Sequence, residues 1–245
     1  MIKHDKHDEY DRDKANKAFE SSRYKELENI IRHADTDKMS SKEIVQLISF
    51  KALVEQKLHR IYWSSEVSQL ELKALNKVSE SKYPYVLAQL SINKAQIIIR
   101  NKEDDSRFES ALYLLSLADK CFAQLEGCEL DKLFVKDEKL RTEFEFSRNN
   151  GGGKDIEQIV KEYRALNQEF DKFTGEVAET WRLNSKFHSL RIMAYGGHSD
   201  AKLGMVVAEK FFSRGNKLKA LAAIVYTLGR VGFYINEILT RIRGE

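Results

Sequence analysis

The chain is poor in helix breakers. It has one proline, Pro84, and 12 glycines among 245 residues. Proline removes a backbone donor and glycine carries an entropic cost, so their scarcity excludes collagen-like and Pro/Gly-rich low-complexity classes. Cysteine is equally scarce. Cys121 and Cys128 are the only two, which excludes a disulfide-stapled scaffold and implies a reduced, cytoplasmic setting. Seven residues apart on one helix, they would lie about two turns apart, too far to bridge. No His or Cys pair stands beside them to complete a zinc site. Long apolar runs are absent too. The stretch Ala220 to Tyr226 is among the longest and is far too short to span a bilayer, so no membrane partner is expected. Met1 to Lys17 is polar and mixed in charge, without the apolar stretch of a secretory signal. No strand-length alternation and no internal repeat can be found.

What is present is charge and helical periodicity. Charged residues make up 32% of the chain and hydrophobic ones 42%, a balance that suits long amphipathic helices. The expectation is an all-α fold, a helical bundle with extra N-terminal helices. Residues 1–15 read as a polar, flexible tail and 16–245 as a single all-α domain, with a linker-like loop at 149–154. Helices are expected over 16–34, from 44 towards 78, after Pro84, from Arg107 to about Leu125, and over 129–147. Two long ones follow, over 156–190 and 217–242, with a short one between them from about Ala201 to Phe212. Ser40 with Glu43, and Ser106 with Glu109, have the spacing of capping boxes. Pro84 sits where a first-turn proline is tolerated. The triple glycine 151–153 is followed by Lys154-Asp155, which is not the register of a phosphate-binding loop.

The net charge of +3 does not by itself predict nucleic-acid binding. Its distribution is uneven. From Lys202 onward eight basic residues face only Glu209, Glu237 and Glu245, a field that could attract an anionic polymer or simply form a solvated helix surface.

One stretch points to a chemistry. Arg191-Ile-Met-Ala-Tyr-Gly-Gly-His198, then Ser199-Asp200, sets an always-charged guanidinium near a side chain that titrates close to neutrality. Gly196 and Gly197 would let a ligand approach the backbone. Asp200 is placed to cap the helix that follows, though its charge there would repel an anion. Arg191 and Tyr195, at i and i+4, share a helix face. Tyr195, Gly196, Gly197 and Lys202 are the weaker candidates for contacting RNA or phosphate. His188 reads as an ordinary amphipathic position. Glu55 and His59 read as a surface pair, because no third ligand completes a metal site. His4 and His7 belong to the polar tail. No metal and no cofactor is expected.

The segment LRIMAYGGHSDAK is similar to the Arg-x4–6-His motif of the HEPN superfamily, in particular its abortive-infection branch, where a small polar residue and an aspartate follow the histidine. Here these are Ser199 and Asp200. The upstream stretch VLAQLSINKAQIIIRNKEDDSRFESALYLLSLADK resembles that branch's earlier helix pair. The resemblance covers residues 40–243 loosely. It implies Arg191 and His198 as a catalytic pair, a homodimer with two facing motifs, and metal-independent RNA cleavage by attack of the 2′-hydroxyl on the adjacent phosphate. Arg191 would stabilise the phosphorane and His198 would move protons. The implied setting is phage defence or a toxin–antitoxin pair, with an antitoxin or regulatory protein as a further partner. Ile192 departs from the pattern, which has Asn, Asp or His there. That departure, and the wealth of charged helix surface, define the alternative: a catalytically inactive helical interaction or adaptor protein.

Overall fold

A computed structural model describes residues 10–151 and 153–243. Among these the chain is all-α, with twelve α-helices and no strand. The chain divides into two compact units, Met1–Glu126 and Gly127–Glu245, whereas the sequence pattern groups residues 16–245 as one domain. Each unit has apolar cores of its own.

The first unit holds α1 (Arg12–Glu20), α2 (Tyr24–Ile31), α3 (Ser41–Val54), α4 (Ser65–Asn76), α5 (Tyr83–Ile98) and α6 (Arg107–Ala123). Residues 1–9 lie outside the described residues, and His4 and His7 with them. The expected tail overruns α1. Asp11 caps this helix by accepting from the Lys14 amide, and Ala15 and Ala18 are fully buried. The Ser40–Glu43 capping box forms as expected, each side chain meeting the other's backbone amide. The run expected from 44 towards 78 is divided. α3 passes into a π-helical turn, Glu55–His59, which ends at Arg60 in the left-handed region, and α4 begins after Ser64. Pro84 lies in the first turn of α5. The second expected capping box does not form. The Ser106 hydroxyl donates to Asp104 at 2.8 Å and makes no cap bond to α6. The Ser106 backbone, at φ −84° and ψ 4°, lacks the extended conformation of the Ser40 cap, so its oxygen is not set to accept from an α6 amide.

The second unit holds α7 (Glu129–Asn150), α8 (Ile156–Phe170), α9 (Glu176–Gly196), α10 (Ala201–Ser213), α11 (Lys217–Tyr226) and α12 (Gly229–Arg243). Cys128 stands before α7 and Cys121 lies within α6, so the two do not share a helix; both are free thiols. The expected loop at 149–154 is shorter and tied down. α7 continues through Asn150, the Ser147 hydroxyl donates to the Lys154 carbonyl at 2.8 Å, and the Lys154 ammonium reaches Glu162 at 2.6 Å. Phe144, Tyr163, Leu166, Phe170 and Phe233 are among the core side chains.

Neither long helix is continuous. The 156–190 run breaks at 171–175, and α9 then extends to Gly196. The 217–242 run breaks at Gly229, whose φ is +61°. A Cβ at this position would lie 3.4 Å from the Gly197 carbonyl and 3.5 Å from that of His198. Glycine therefore serves twice here, tolerating the left-handed turn and letting α12 dock against the α9–α10 loop. The turn folds α12 back on α11 so closely that a Cβ at Gly232 would sit 1.8 Å from the Val225 carbonyl oxygen. Backbone would have to move to admit one. Gly232→Ala is expected to destabilise the protein by about 1–3 kcal/mol through overpacking, despite alanine's better helix propensity; urea denaturation that shows equal or greater stability would contradict this packing.

Candidate functional site

The Arg191–His198 segment is the end of α9 and the loop that leads to α10. Local rules explain its shape. The His198 amide donates to the Met193 carbonyl at 2.9 Å and the Gly197 amide to the Ala194 carbonyl at 3.1 Å. With Gly197 at φ +89°, this is a Schellman cap. Asp200 then caps α10, accepting from the Leu203 amide at 2.8 Å, the role expected from its position. Between two caps, His198 is held at a helix junction.

Arg191 points elsewhere. Its side chain is 20% exposed and its guanidinium donates to Glu145 on α7 at 2.7 Å and to Glu237 on α12 at 3.2 Å. Arg148 completes the square, 2.9 Å from Glu145 and 3.0 Å from Glu237. Both guanidinium carbons lie over the rings of Phe144 and Phe233, Arg191 at 5.6 and 5.7 Å and Arg148 at 6.0 and 5.7 Å. These are cation–π distances in a desolvated setting. Burial alone would weaken the charge on Arg191, but Glu145 and Glu237 outweigh it and hold its pKa above the ordinary arginine value. Burial likewise opposes ionisation of Glu237, and Arg191 and Arg148 reverse that, leaving its pKa below the usual carboxylate value. Tyr195, on the same face of α9 as Arg191, packs edge-on against Phe144 and Phe233. Tyr226 stacks on Phe233 and its hydroxyl accepts from Asn236 at 2.8 Å. Burial pushes its pKa up to about 12.

His198 has different neighbours. Its side chain is 41% exposed, and Nε2 lies 2.6 Å from the Glu157 carboxylate at the start of α8. A Cβ at Gly196 would come within 3.2 Å of the His198 ring and 3.3 Å of Ile156, so Gly196 is a packing glycine. Gly197 faces Arg230, whose Nε donates to the Tyr195 carbonyl at 3.2 Å. Lys202 is exposed on the first turn of α10. No hydrogen bond or ion pair joins Arg191 to His198. The structure gathers Gly196, Gly197 and His198 into one surface corner with Glu157 and Arg230, turns the Tyr195 ring into the core with its carbonyl on Arg230, and commits Arg191 to the buried square.

Sequence reading missed Glu145, Arg148, Glu157, Arg230 and Glu237. One signal was present. Glu145 and Arg148 have the i, i+3 spacing of a helical ion pair. Nothing local links them to Glu237, 89 residues beyond Arg148. His188, read as an ordinary position, meets the buried Asp137 through Nδ1 at 3.0 Å. His59 pairs with Glu28 at 2.9 Å and not with Glu55, because the π-turn changes the register. Among the described residues no group of three or more His, Cys, Asp or Glu side chains could hold a metal ion, and no helix is long and apolar enough to cross a membrane. Comparison with protein-family models, with curated proteins and with solved structures finds no match.

Arg191→Ala is expected to cost about 3–5 kcal/mol, the range for breaking a buried pair and leaving a carboxylate short of its partner. The cost should depend on pH with a definite sign. Glu237 has a depressed folded pKa, so its contribution is complete above its ordinary value of 4.5 and is lost as pH falls towards the folded value. Denaturation at a series of pH values should therefore show the gap between wild type and Arg191→Ala narrowing below about pH 4.5. A gap that widens in acid would contradict the assignment.

Proposed function

We propose that this chain is a self-associating helical interaction protein whose working form is a homodimer. The observation that carries the reading is the outer face of α10, α11 and α12. Leu218, Leu221 and Ile224 follow α11 at helical spacing, Leu228 lies in the turn after it, and Val231, Tyr234, Ile235, Ile238 and Ile242 follow α12; all are between 40% and 76% exposed. Met205, Val206 and Phe212 add to them from α10. Monomeric proteins rarely expose contiguous apolar patches beyond a few hundred Å². A stable interface needs roughly 800 Å² from each partner, which is the scale a dozen half-exposed large side chains offer. A second copy suits this face because an apolar stripe can serve as both sides of a two-fold contact. The commitment of Arg191 to Glu145 and Glu237 favours the non-catalytic form of this reading, as does Ile192, which is buried in the core where the related motif is polar.

The test is mass in solution. Light scattering is expected to give twice the 28.4 kDa of the chain. Val231→Glu combined with Ile238→Glu should give a folded monomer. Wild-type protein that stays monomeric at high micromolar concentration would sink the proposal.

A second reading is a metal-independent endoribonuclease of the HEPN type, acting in phage defence with an antitoxin or other regulator. A specific observation favours it. His198 is exposed, oriented by a carboxylate, and lies in a loop that α12 touches through Gly229 and Arg230. A dimer through α12 sets the second copy near that loop. His198 would pass the proton between the RNA 2′-hydroxyl and the leaving oxygen, with Glu157 orienting the ring. On this reading purified protein cuts single-stranded RNA in EDTA, leaves 2′,3′-cyclic phosphate ends, and loses about 10²–10⁴-fold in rate with His198→Ala. Uncut RNA, or cleavage that His198→Ala leaves unchanged, returns the interaction protein as the sole reading.

A further inference from the structure

Lys219 is the third residue of α11. The Asn216 side chain caps the helix start by accepting from the Lys219 amide at 3.1 Å, which fixes where the lysine side chain departs. Its ammonium lies over the rings of Phe187 on α9 and Phe211 on α10, 5.8 and 5.2 Å from their centres. It donates to the Asn184 side-chain oxygen at 2.8 Å. It forms no ion pair among the described residues. Other lysines of the same unit differ. Lys154 meets both Glu143 and Glu162, Lys136 meets Glu169, and Lys186 meets Asp171.

The surroundings disfavour the charged form of Lys219. The two rings attract an ammonium weakly, and they displace water, which solvates it far better. α11 has no acidic residue in its first turn, and the positive end of its dipole opposes a cation there. On α7 the Arg141 guanidinium, paired with Glu138, adds a like charge. The next α7 carboxylate, Asp137, is engaged by His188 of α9. Burial first, and Arg141 second, hold the Lys219 pKa below the ordinary lysine value. The residue is nonetheless partly exposed, so small molecules in solution can reach it. A desolvated lysine beside another cation is the arrangement that leaves an amine free to attack at neutral pH.

We propose that Lys219 is a nucleophilic amine that takes a small aldehyde or ketone as an imine. None of its contacts belongs to the outer apolar stripe or to the His198 loop. Once Nζ has given a proton to water, its lone pair adds to the carbonyl carbon and the C=O π pair moves to oxygen. A proton passes from nitrogen to that oxygen and gives the carbinolamine. The nitrogen lone pair then expels hydroxide, which leaves as water with the last N–H proton, and the C=N bond remains. Nothing is oxidised or reduced. Asn184 orients the amine, and Phe187 and Phe211 offer apolar wall to a short alkyl group. The test exposes the full chain to limiting propionaldehyde with cyanoborohydride at neutral pH, followed by peptide mass mapping. Lys219 is expected to be alkylated about fivefold faster than the exposed Lys217, or more, because the free-amine fraction rises as the pKa falls. Its rate should also level off at a lower pH than that of Lys217. Asn184→Asp sets a carboxylate against the ammonium with little change of shape, and it should abolish the advantage. The comparison of two lysines within the wild-type chain carries the test even if the variant fails to fold. Lys219 alkylated no faster than Lys217, or an advantage that survives Asn184→Asp, overturns the proposal.

Discussion

The second unit depends on a square of charges. Arg148 and Arg191 alternate with Glu145 and Glu237, and the two guanidinium groups rest on Phe144 and Phe233. The square ties α7, α9 and α12 together. Removing four charges from water costs several kcal/mol for each ion, and only mutual pairing offsets it. The square therefore holds as a set. Losing one member leaves each neighbour in the interior with one partner in place of two. A buried ion pair needs its partners in place, and this one draws α12 onto α9 and leaves the other side of α12 facing outward.

That constraint reaches the corner around His198. With α12 fixed against α9, Gly229 abuts the Gly197 and His198 carbonyls and Arg230 binds the Tyr195 carbonyl. The Schellman cap, the Asp200 cap and the α12 contact hold the loop from three directions. A rigid loop bearing an exposed imidazole suits recognition or proton transfer. It does so without Arg191, whose charge is consumed by the core. A second buried polar site, Asp137 with His188 and the Tyr163 hydroxyl, links α7, α8 and α9 in the same unit. The unit's interior thus joins its helices by polar contacts as well as by apolar ones.

Much of the helical layout was legible. The Ser40–Glu43 box, the first-turn position of Pro84 and the Asp200 cap each rest on side chains within three residues of the groups they satisfy. Ser106–Glu109 has the same spacing and failed, because the Ser106 backbone is not extended as that of Ser40 is, and its hydroxyl turns to Asp104. The breaks at 171–175 and at Gly229 were not legible from apolar periodicity, which runs through both. In the second case the cause is distant in sequence: α12 turns back because Gly229 fits against the 197–198 backbone. The candidate site divides in the same way. The surface corner at 196–198 was visible as a Gly-Gly-His loop between two helices. Its partners Glu157 and Arg230 come from other helices and could not be read locally.

The sequence by itself determined the all-α class, most helix starts, and the dense apolar stripes along 217–242, because propensity, capping and periodicity act over a few residues. Tertiary structure decided which charge meets which. Arg191 and His198 are seven positions apart on the chain, and they part because α9 carries the first inward to Glu145 and Glu237 while its cap turns the second outward to Glu157. Long-range pairing depends on how helices pack in three dimensions, and spacing along one helix does not contain that information.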